Sequence, residues 1–143
     1  MMLTEATIDA EYEEGIRLYD QKAPLEQVLA HFEQLRLKAP QDARIAVSLS
    51  WLYILLGNKS KALAFSRQAR GTAQGRFNQV LAYLAFGEKG VRERFLEAVE
   101  LGGHEGIHDA VANLHDAIDR KGGTFPAAVK MLRWLDEIHP QHD

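Results

Sequence analysis

The chain repeats itself at an offset of 34 residues, and this self-similarity constrains its fold more than any other feature. The offset superposes six identical residues over about thirty positions, whereas composition alone would give roughly two. The matched pairs are Leu18 with Leu52, Tyr19 with Tyr53, Leu29 with Leu63, Ala30 with Ala64, Gln34 with Gln68 and Arg36 with Arg70. A unit of this length cannot bury its apolar face alone, so the repeat predicts units stacked side by side.

The spacing of the apolar residues predicts an all-α chain. Between glycine and proline breaks they recur every three or four positions, and no segment has a strand-like pattern. Asp42 and Thr124 are expected as N-caps, and Gly57 and Gly87 as helix ends. We expect about eight helices in antiparallel pairs, at about residues 7–20, 24–40, 42–57, 58–71, 76–86, 90–101, 105–122 and 124–140.

A helix–turn–helix unit of 34 residues resembles the tetratricopeptide repeat (TPR) superfamily, best over residues 9–74. The sequence departs from the family where Ile16 and Ser50 replace its signature glycine and Gln74 stands where proline is expected. The resemblance rests on aromatic, small and punctuating residues at family positions, namely Tyr12, Tyr19, Phe32, Pro40, Leu49, Tyr53, Gly57, Ala62 and Ala69, with Phe95, Ala98 and Pro140 repeating the second-helix spacing.

The resemblance implies a single domain that forms a divergent, TPR-like right-handed α-solenoid, with units at about residues 7–40, 42–74, 76–103 and 105–140. The first helix of each unit would line a groove that binds a peptide or helix of a partner protein. The role would be that of a scaffold, adaptor or small chaperone that needs no cofactor. The groove-facing positions would be Glu13, Arg17 and Asp20 in the first unit and Arg44, Val47, Trp51 and Ile54 in the second.

A second interpretation of the apolar groove residues stays open. The helix that carries Val47, Trp51 and Ile54 is apolar on most sides, which is typical of a buried helix. These side chains would then pack beneath the fifth helix or the C-terminal helices, and the groove would be filled by the chain itself.

A histidine motif favours a different class of function. His104, Glu105 and His108 form the H-E-x-x-H pattern, which on a helix presents two zinc ligands and a general base. The alternative function is therefore a small zinc-dependent hydrolase using His104, Glu105 and His108. His115 lies on almost the same line of the helix, so the alternative metal site consists of His104, His108 and His115. Gly106 weakens the helix that would present the zinc ligands, which argues against a metal site. The interpretation that we favour is that the histidines flank an apolar stripe of the helix.

Composition narrows the remaining classes of function. The 143 residues include no cysteine, which excludes disulfides and thiol catalysis. The net charge of −3 argues against a nucleic-acid partner, although a basic segment at Lys59, Lys61, Arg67 and Arg70 leaves RNA binding as the weakest alternative. The longest apolar run is six residues and the N-terminus lacks a signal-like core, so we expect a cytoplasmic protein without a membrane segment. The oligomeric state stays open.

Overall fold

The computed structural model describes residues 5–138, without the side chain of Glu5. Over that range the regular structure is α-helical and contains no strand, which confirms the all-α prediction. The expected closing proline, Pro140, lies outside the described residues. The described helices are α1 Glu5–Asp20, α2 Leu25–Lys38, α3 Ala43–Leu56, α4 Lys59–Gln68, α5 Ala73–Phe86, α6 Val91–Arg120 and α7 Pro126–Ile138.

Short polar side chains and glycines set several helix ends as the sequence predicts, but α7 begins at Pro126, so Phe125 rather than Thr124 directly precedes that helix. The Asp42 carboxylate accepts a hydrogen bond from the Arg44 amide (2.9 Å) at the start of α3, and Asn58 caps α4 in the same manner. Gly57 and Gly87 end α3 and α5 with φ of +80° and +72°. This left-handed conformation suits glycine because it has no Cβ.

The start of α5 differs from the expectation. The helix begins at Ala73 rather than Arg76, because the Thr72 hydroxyl oxygen accepts a hydrogen bond from the Gly75 amide (2.9 Å) and caps the helix earlier. Gly75 also permits close packing, since a Cβ built there would lie 2.1 Å from the Ala69 carbonyl oxygen. Glycine in the first turn therefore lets α5 approach the end of α4.

The helices share one continuous core. Each contacts the next along the chain, and α5 also contacts α3 and α7, which makes it the central helix. A cluster of buried apolar side chains extends from Ile8 in α1 to Leu135 in α7. The second-helix residues Phe32, Ala62 and Phe95 are at most 1% exposed within it. None of the seven described helices is long and apolar enough to span a membrane.

Helix α6 spans two of the expected helices, which remain distinguishable as two segments on either side of a break. Gly103 interrupts its helical geometry with φ +62° and ψ −158°. The first segment (91–102) packs on α5 and α7, and its Phe95 ring meets Trp134 edge-on at 5.2 Å. The second segment (104–120) reaches the C-terminal end of α1, where Arg120 donates a hydrogen bond to the Tyr19 carbonyl oxygen (2.8 Å).

Candidate functional site

A solvent-open cavity of about 260 Å³ lies between α1, α3 and α5, with the second segment of α6 beside it. Side chains spaced three or four positions apart on each helix point into it, because such residues share one helix face. We call this cavity the α1–α3–α5 pocket. It is lined by Tyr12, Ile16, Tyr19, Asp20, Phe32, Val47, Ser48, Trp51, Leu52, Gln74, Asn78 and Asn113.

The walls of the α1–α3–α5 pocket are mainly apolar. Ile16, Val47 and Trp51 are half-buried and pack against the core with one side while the other faces the opening. Phe32 and Leu52, each 1% exposed, close the bottom. Covering such a surface with another apolar group removes it from water, which is favourable.

A chain of amide hydrogen bonds forms the polar part of the pocket. The Asn78 side chain is 1% exposed and donates to the Ser50 hydroxyl (2.9 Å) and to the Val47 carbonyl oxygen (3.2 Å). It accepts from Gln74 (2.7 Å), which in turn accepts from Asn113 of α6 (3.0 Å). These bonds satisfy the buried amide and hold α3, α5 and α6 in fixed positions around the cavity.

A second polar network closes the end of the pocket beside α1. The Trp51 indole N–H donates to the Tyr19 hydroxyl oxygen (2.8 Å), and that hydroxyl donates to Asp116 of α6. Arg120 donates to the same carboxylate (2.9 Å), and its guanidinium carbon lies 3.5 Å from the centroid of the Tyr19 ring. The network therefore joins α1, α3 and α6 over a sequence separation of 97 residues.

The protonation states of this network are set by burial and by its own hydrogen bonds. Burial raises the pKa of the Tyr19 phenol, and the hydrogen bond to Asp116 raises it further, so Tyr19 remains a neutral donor. Burial alone would raise the pKa of Asp116. Hydrogen bonds from Tyr19 and Arg120, and the charges of Arg120 and Lys22, outweigh that effect and lower it. Asp116 is thus held as a carboxylate.

Three of the seven groove residues predicted from the sequence lie in the pocket lining, namely Asp20, Val47 and Trp51. Arg44 lies at the edge, because its guanidinium carbon is 4.7 Å from the centroid of the Tyr12 ring, which lines the pocket. The structure therefore brings four of the predicted residues to one cavity or its rim.

The other three predicted groove residues lie elsewhere. Glu13 and Arg17 are exposed and do not line the pocket, and the Arg17 Nε donates to Glu14 on the same helix (2.7 Å). Ile54 is 2% exposed and belongs to the core, so it presents no surface to a partner. Helix α3 contacts α2, α4 and α5, so it buries faces that would stay exposed on a helix lining an open groove.

Sequence reasoning missed the polar contribution of α5 and α6. Gln74 and Asn78 are four residues apart and therefore share a face of α5, a spacing that could have marked a second polar surface. Asn113 carries no comparable signal, because its place in the pocket depends on how α6 folds back toward α1. Only the three-dimensional arrangement reveals that contribution.

The three histidines of the sequence motif are not grouped as metal ligands in the described part of the chain. His104, His108 and His115 are exposed, and within residues 5–138 no three His, Cys, Asp or Glu side chains are grouped so as to hold a metal ion. His108 and His115 are separated by a rise of about 10 Å along a helix, whereas zinc binds imidazole nitrogens at about 2 Å. The alternative site of three histidines is therefore not assembled in the described part of the chain. A hydrolase using His104, Glu105 and His108 lacks a third protein ligand in the described part of the chain.

Comparison with protein-family models gives no match for this chain. Comparison with curated proteins gives no match either.

Proposed function

We propose that the chain is a divergent TPR-like helical array that acts as a cytoplasmic protein-interaction module, as an adaptor or small chaperone. In this proposal a large apolar side chain from a peptide or helix of a partner protein occupies the α1–α3–α5 pocket. The observation that carries the proposal is the pocket itself, an open cavity of about 260 Å³ with half-buried apolar walls. It is built by α1, α3 and α5, which are the first helices of successive units in the proposed array.

The size of the pocket favours an anchoring side chain over a whole small molecule. Its volume of about 260 Å³ lies below the range of roughly 300–1,000 Å³ that is typical of small-molecule sites. Interfaces commonly concentrate their binding energy in one or two aromatic or aliphatic anchors that enter such pockets. Trp51 offers its indole ring as part of the wall while its N–H is already satisfied by Tyr19.

The charges at the rim favour a partner with a basic residue near its apolar anchor. Asp20 lines the pocket and is exposed, and within residues 5–138 no basic side chain lies within 4.0 Å of its carboxylate. Arg44, at the other edge, is already paired with Asp9 (2.8 Å) and Asp42 (2.9 Å). An exposed pair with Asp20 would add at most about 1 kcal/mol, so its effect is mainly on partner selection.

Peptide selection with a matched pair of variants tests this function. A random peptide library displayed on phage is selected on the wild-type chain, and affinities of enriched peptides are measured by fluorescence polarisation. Val47→Phe fills the pocket, whereas Val129→Phe places the same ring on α7, where Val129 is 42% exposed. We expect Val47→Phe to weaken binding by at least about tenfold and Val129→Phe to leave it unchanged.

The selected peptides supply the reciprocal test. They should share one large apolar residue, and alanine at that residue should abolish binding. Asp20→Asn should weaken, by a few-fold, only those peptides that carry a neighbouring Lys or Arg. The proposal fails if selection enriches no peptide family, or if folded Val47→Phe protein binds the selected peptides as well as the wild-type chain does.

A further inference from the structure

A second cavity, of about 440 Å³, lies across α5 from the α1–α3–α5 pocket. The α5 residues that line it are Arg76, Gln79 and Tyr83, which lie about 150° around the helix from Gln74 and Asn78. Arginines from α4, the turn that follows it, α5 and α6 converge on this space, and we call it the arginine cavity. Its charged lining residues are Arg67, Arg70, Arg76, Arg94 and Glu97.

The arginine cavity has more positive charge than its own residues neutralise. Glu97 is the single acidic residue in its lining, and it accepts from Arg94 (2.7 Å) and from Arg76 (3.2 Å). Among residues 5–138, no carboxylate lies within 4.0 Å of the guanidinium groups of Arg67 or Arg70. Two of the four arginines therefore remain available to an anion.

Hydrogen-bond donors are also in surplus there. Each guanidinium carries five N–H donors and no acceptor. The Nε of Arg76 is buried without a hydrogen-bond partner among the described residues. Buried hydrogen-bond donors normally have an acceptor, and a bound ligand is one group that could supply an acceptor to this N–H. A ligand that matches this site carries negative charge on several acceptor oxygens.

We propose that the arginine cavity binds a phosphate monoester. A phosphate dianion presents three acceptor oxygens, and guanidinium groups bind such oxygens in pairs with a geometry that ammonium groups cannot reproduce. The volume of about 440 Å³ falls in the range of small-ligand sites, so it has room for the organic group that the phosphate carries. Tyr83 provides an aromatic surface for that group.

The geometry favours a single phosphate over a nucleic-acid strand. A strand presents a regular series of phosphates and is usually bound along a basic groove with stacking platforms. Here the arginines converge on one cavity. Lys59, which belongs to the basic segment of the sequence, is instead paired with Glu88 (3.2 Å). The arginine cavity also lies away from the α1–α3–α5 pocket, so this proposal and the proposed function can fail independently.

Calorimetric titration of the full chain at constant ionic strength tests the proposal. The probes are a phosphoserine tripeptide, its unphosphorylated form, free O-phosphoserine and inorganic sulfate. The test variant is Arg67→Gln with Arg70→Gln, two exposed residues whose replacement breaks no ion pair within the described range. The control, Lys89→Gln with Arg133→Gln, removes the same charge from exposed positions outside the cavity.

We expect a phosphorylated probe to bind the wild-type chain and the control variant alike, and to bind the test variant at least about tenfold more weakly. The unphosphorylated tripeptide should not bind. Affinity for the phosphoserine tripeptide should rise from pH 5 to pH 7, because its phosphate loses a second proton near pH 6. Sulfate, a dianion throughout, should show no such rise.

The cavity contains no imidazole that would gain or lose a proton near pH 6. Its lining holds arginines, Gln79, Tyr83 and Glu97, with no histidine among them. The hydrogen bond from Arg94 lowers the pKa of the Glu97 carboxyl, so it keeps its charge. Any pH dependence is therefore that of the ligand.

The two phosphorylated probes distinguish the source of the ligand. Tighter binding of the tripeptide would identify a phosphorylated protein side chain, whereas tighter binding of free O-phosphoserine would identify a small phosphate ester. Absence of measurable heat with both probes at millimolar concentration would overturn the proposal. Equal affinities for folded test and control variants would overturn it as well.

Discussion

Tyr19 and Tyr53, which are 34 residues apart and equivalent in the repeat, use the same contact in two different regions of the molecule. Each donates its hydroxyl hydrogen to a carboxylate that also accepts from an arginine one turn further along the same helix. For Tyr53 the carboxylate is Glu33 of α2 and the arginine is Arg36 (2.9 Å). Tyr53 also stacks on Phe65 of α4, with ring centroids 5.8 Å apart.

Tyr19 finds the equivalent partners far away in the chain. Its carboxylate is Asp116 and its arginine is Arg120, both in the second segment of α6. Unlike Tyr53, Tyr19 also accepts a hydrogen bond from Trp51 and so takes part in the end of the α1–α3–α5 pocket. The Tyr53 network therefore reinforces packing between neighbouring helices, whereas the Tyr19 network closes the structure around a cavity.

The difference shows that tyrosines at matched positions of the 34-residue offset can make the same contact with different connectivity. Tyr53 reaches back 20 residues to the helix before it, and Tyr19 reaches forward 97 residues. Within the described residues no helix precedes α1, so the partners of Tyr19 come from another part of the fold. Long-range contacts of this kind cost more chain entropy to form than local ones.

The largest effect should follow from removing the carboxylate of the long-range network. Asp116→Ala leaves the Arg120 side chain, which is 8% exposed, without its counterion and Tyr19 without its acceptor. We expect the free energy of unfolding to fall by about 2–4 kcal/mol, as measured by urea denaturation.

A neighbouring aspartate provides the control for this variant. Asp119 has a side chain that is 77% exposed, so Asp119→Ala should change the free energy of unfolding by less than about 0.5 kcal/mol. Adding Arg120→Met to Asp116→Ala should recover part of the loss, since it removes the uncompensated charge. A loss no greater than that of the control would mean that the long-range network does not stabilise the fold.

The corresponding change in the local network should have a smaller effect. Glu33→Ala removes the partner of Arg36, but that side chain is 35% exposed and stays hydrated. We expect a loss of about 1–2 kcal/mol in the same urea experiment. If Glu33→Ala costs as much as Asp116→Ala, burial of the arginine is not what separates the two regions.

The smallest loss of stability is expected from removing the hydroxyl groups of the two tyrosines, which compares the two networks directly. Tyr19→Phe and Tyr53→Phe should each lower the free energy of unfolding by about 1 kcal/mol. Only Tyr19→Phe removes the acceptor of the Trp51 indole N–H, so only that variant should shift the indole resonance in ¹H–¹⁵N NMR spectra. Trp134, the other tryptophan, serves as the internal reference. Equal shifts in both variants would contradict the assignment of Tyr19 to the pocket.

Local sequence signals predict much of the fold, because they report on neighbouring residues. Asp42, Gly57 and Gly87 lie at helix ends where capping chemistry places them. The error at the start of α5 arose because Gly75, a poor helix former, lies inside the first turn and hides the cap at Thr72. In the folded chain the helix includes that glycine and begins two residues before it, at Ala73.

The candidate site is less predictable than the fold. Val47 and Trp51 follow from helical spacing, but Ile54 has the same apolar character and is buried, since spacing alone does not show how many neighbours surround α3. Asn113 and Asp116 lack a local signal altogether. Their positions depend on the break at Gly103 and on how the second segment of α6 packs against α1.

The contact between Tyr19 and Asp116 also orders events during biosynthesis. Translation proceeds at about 5–20 residues per second, so the 97 residues between the two partners take roughly 5–20 s to synthesise. For the later part of that interval, once Trp51 has been added, the nascent chain contains Tyr19 and Trp51 but not the α6 residues that complete the end of the cavity. The surface proposed to receive a partner is therefore among the last parts of the fold to be finished, after the helix pairs around it have been made.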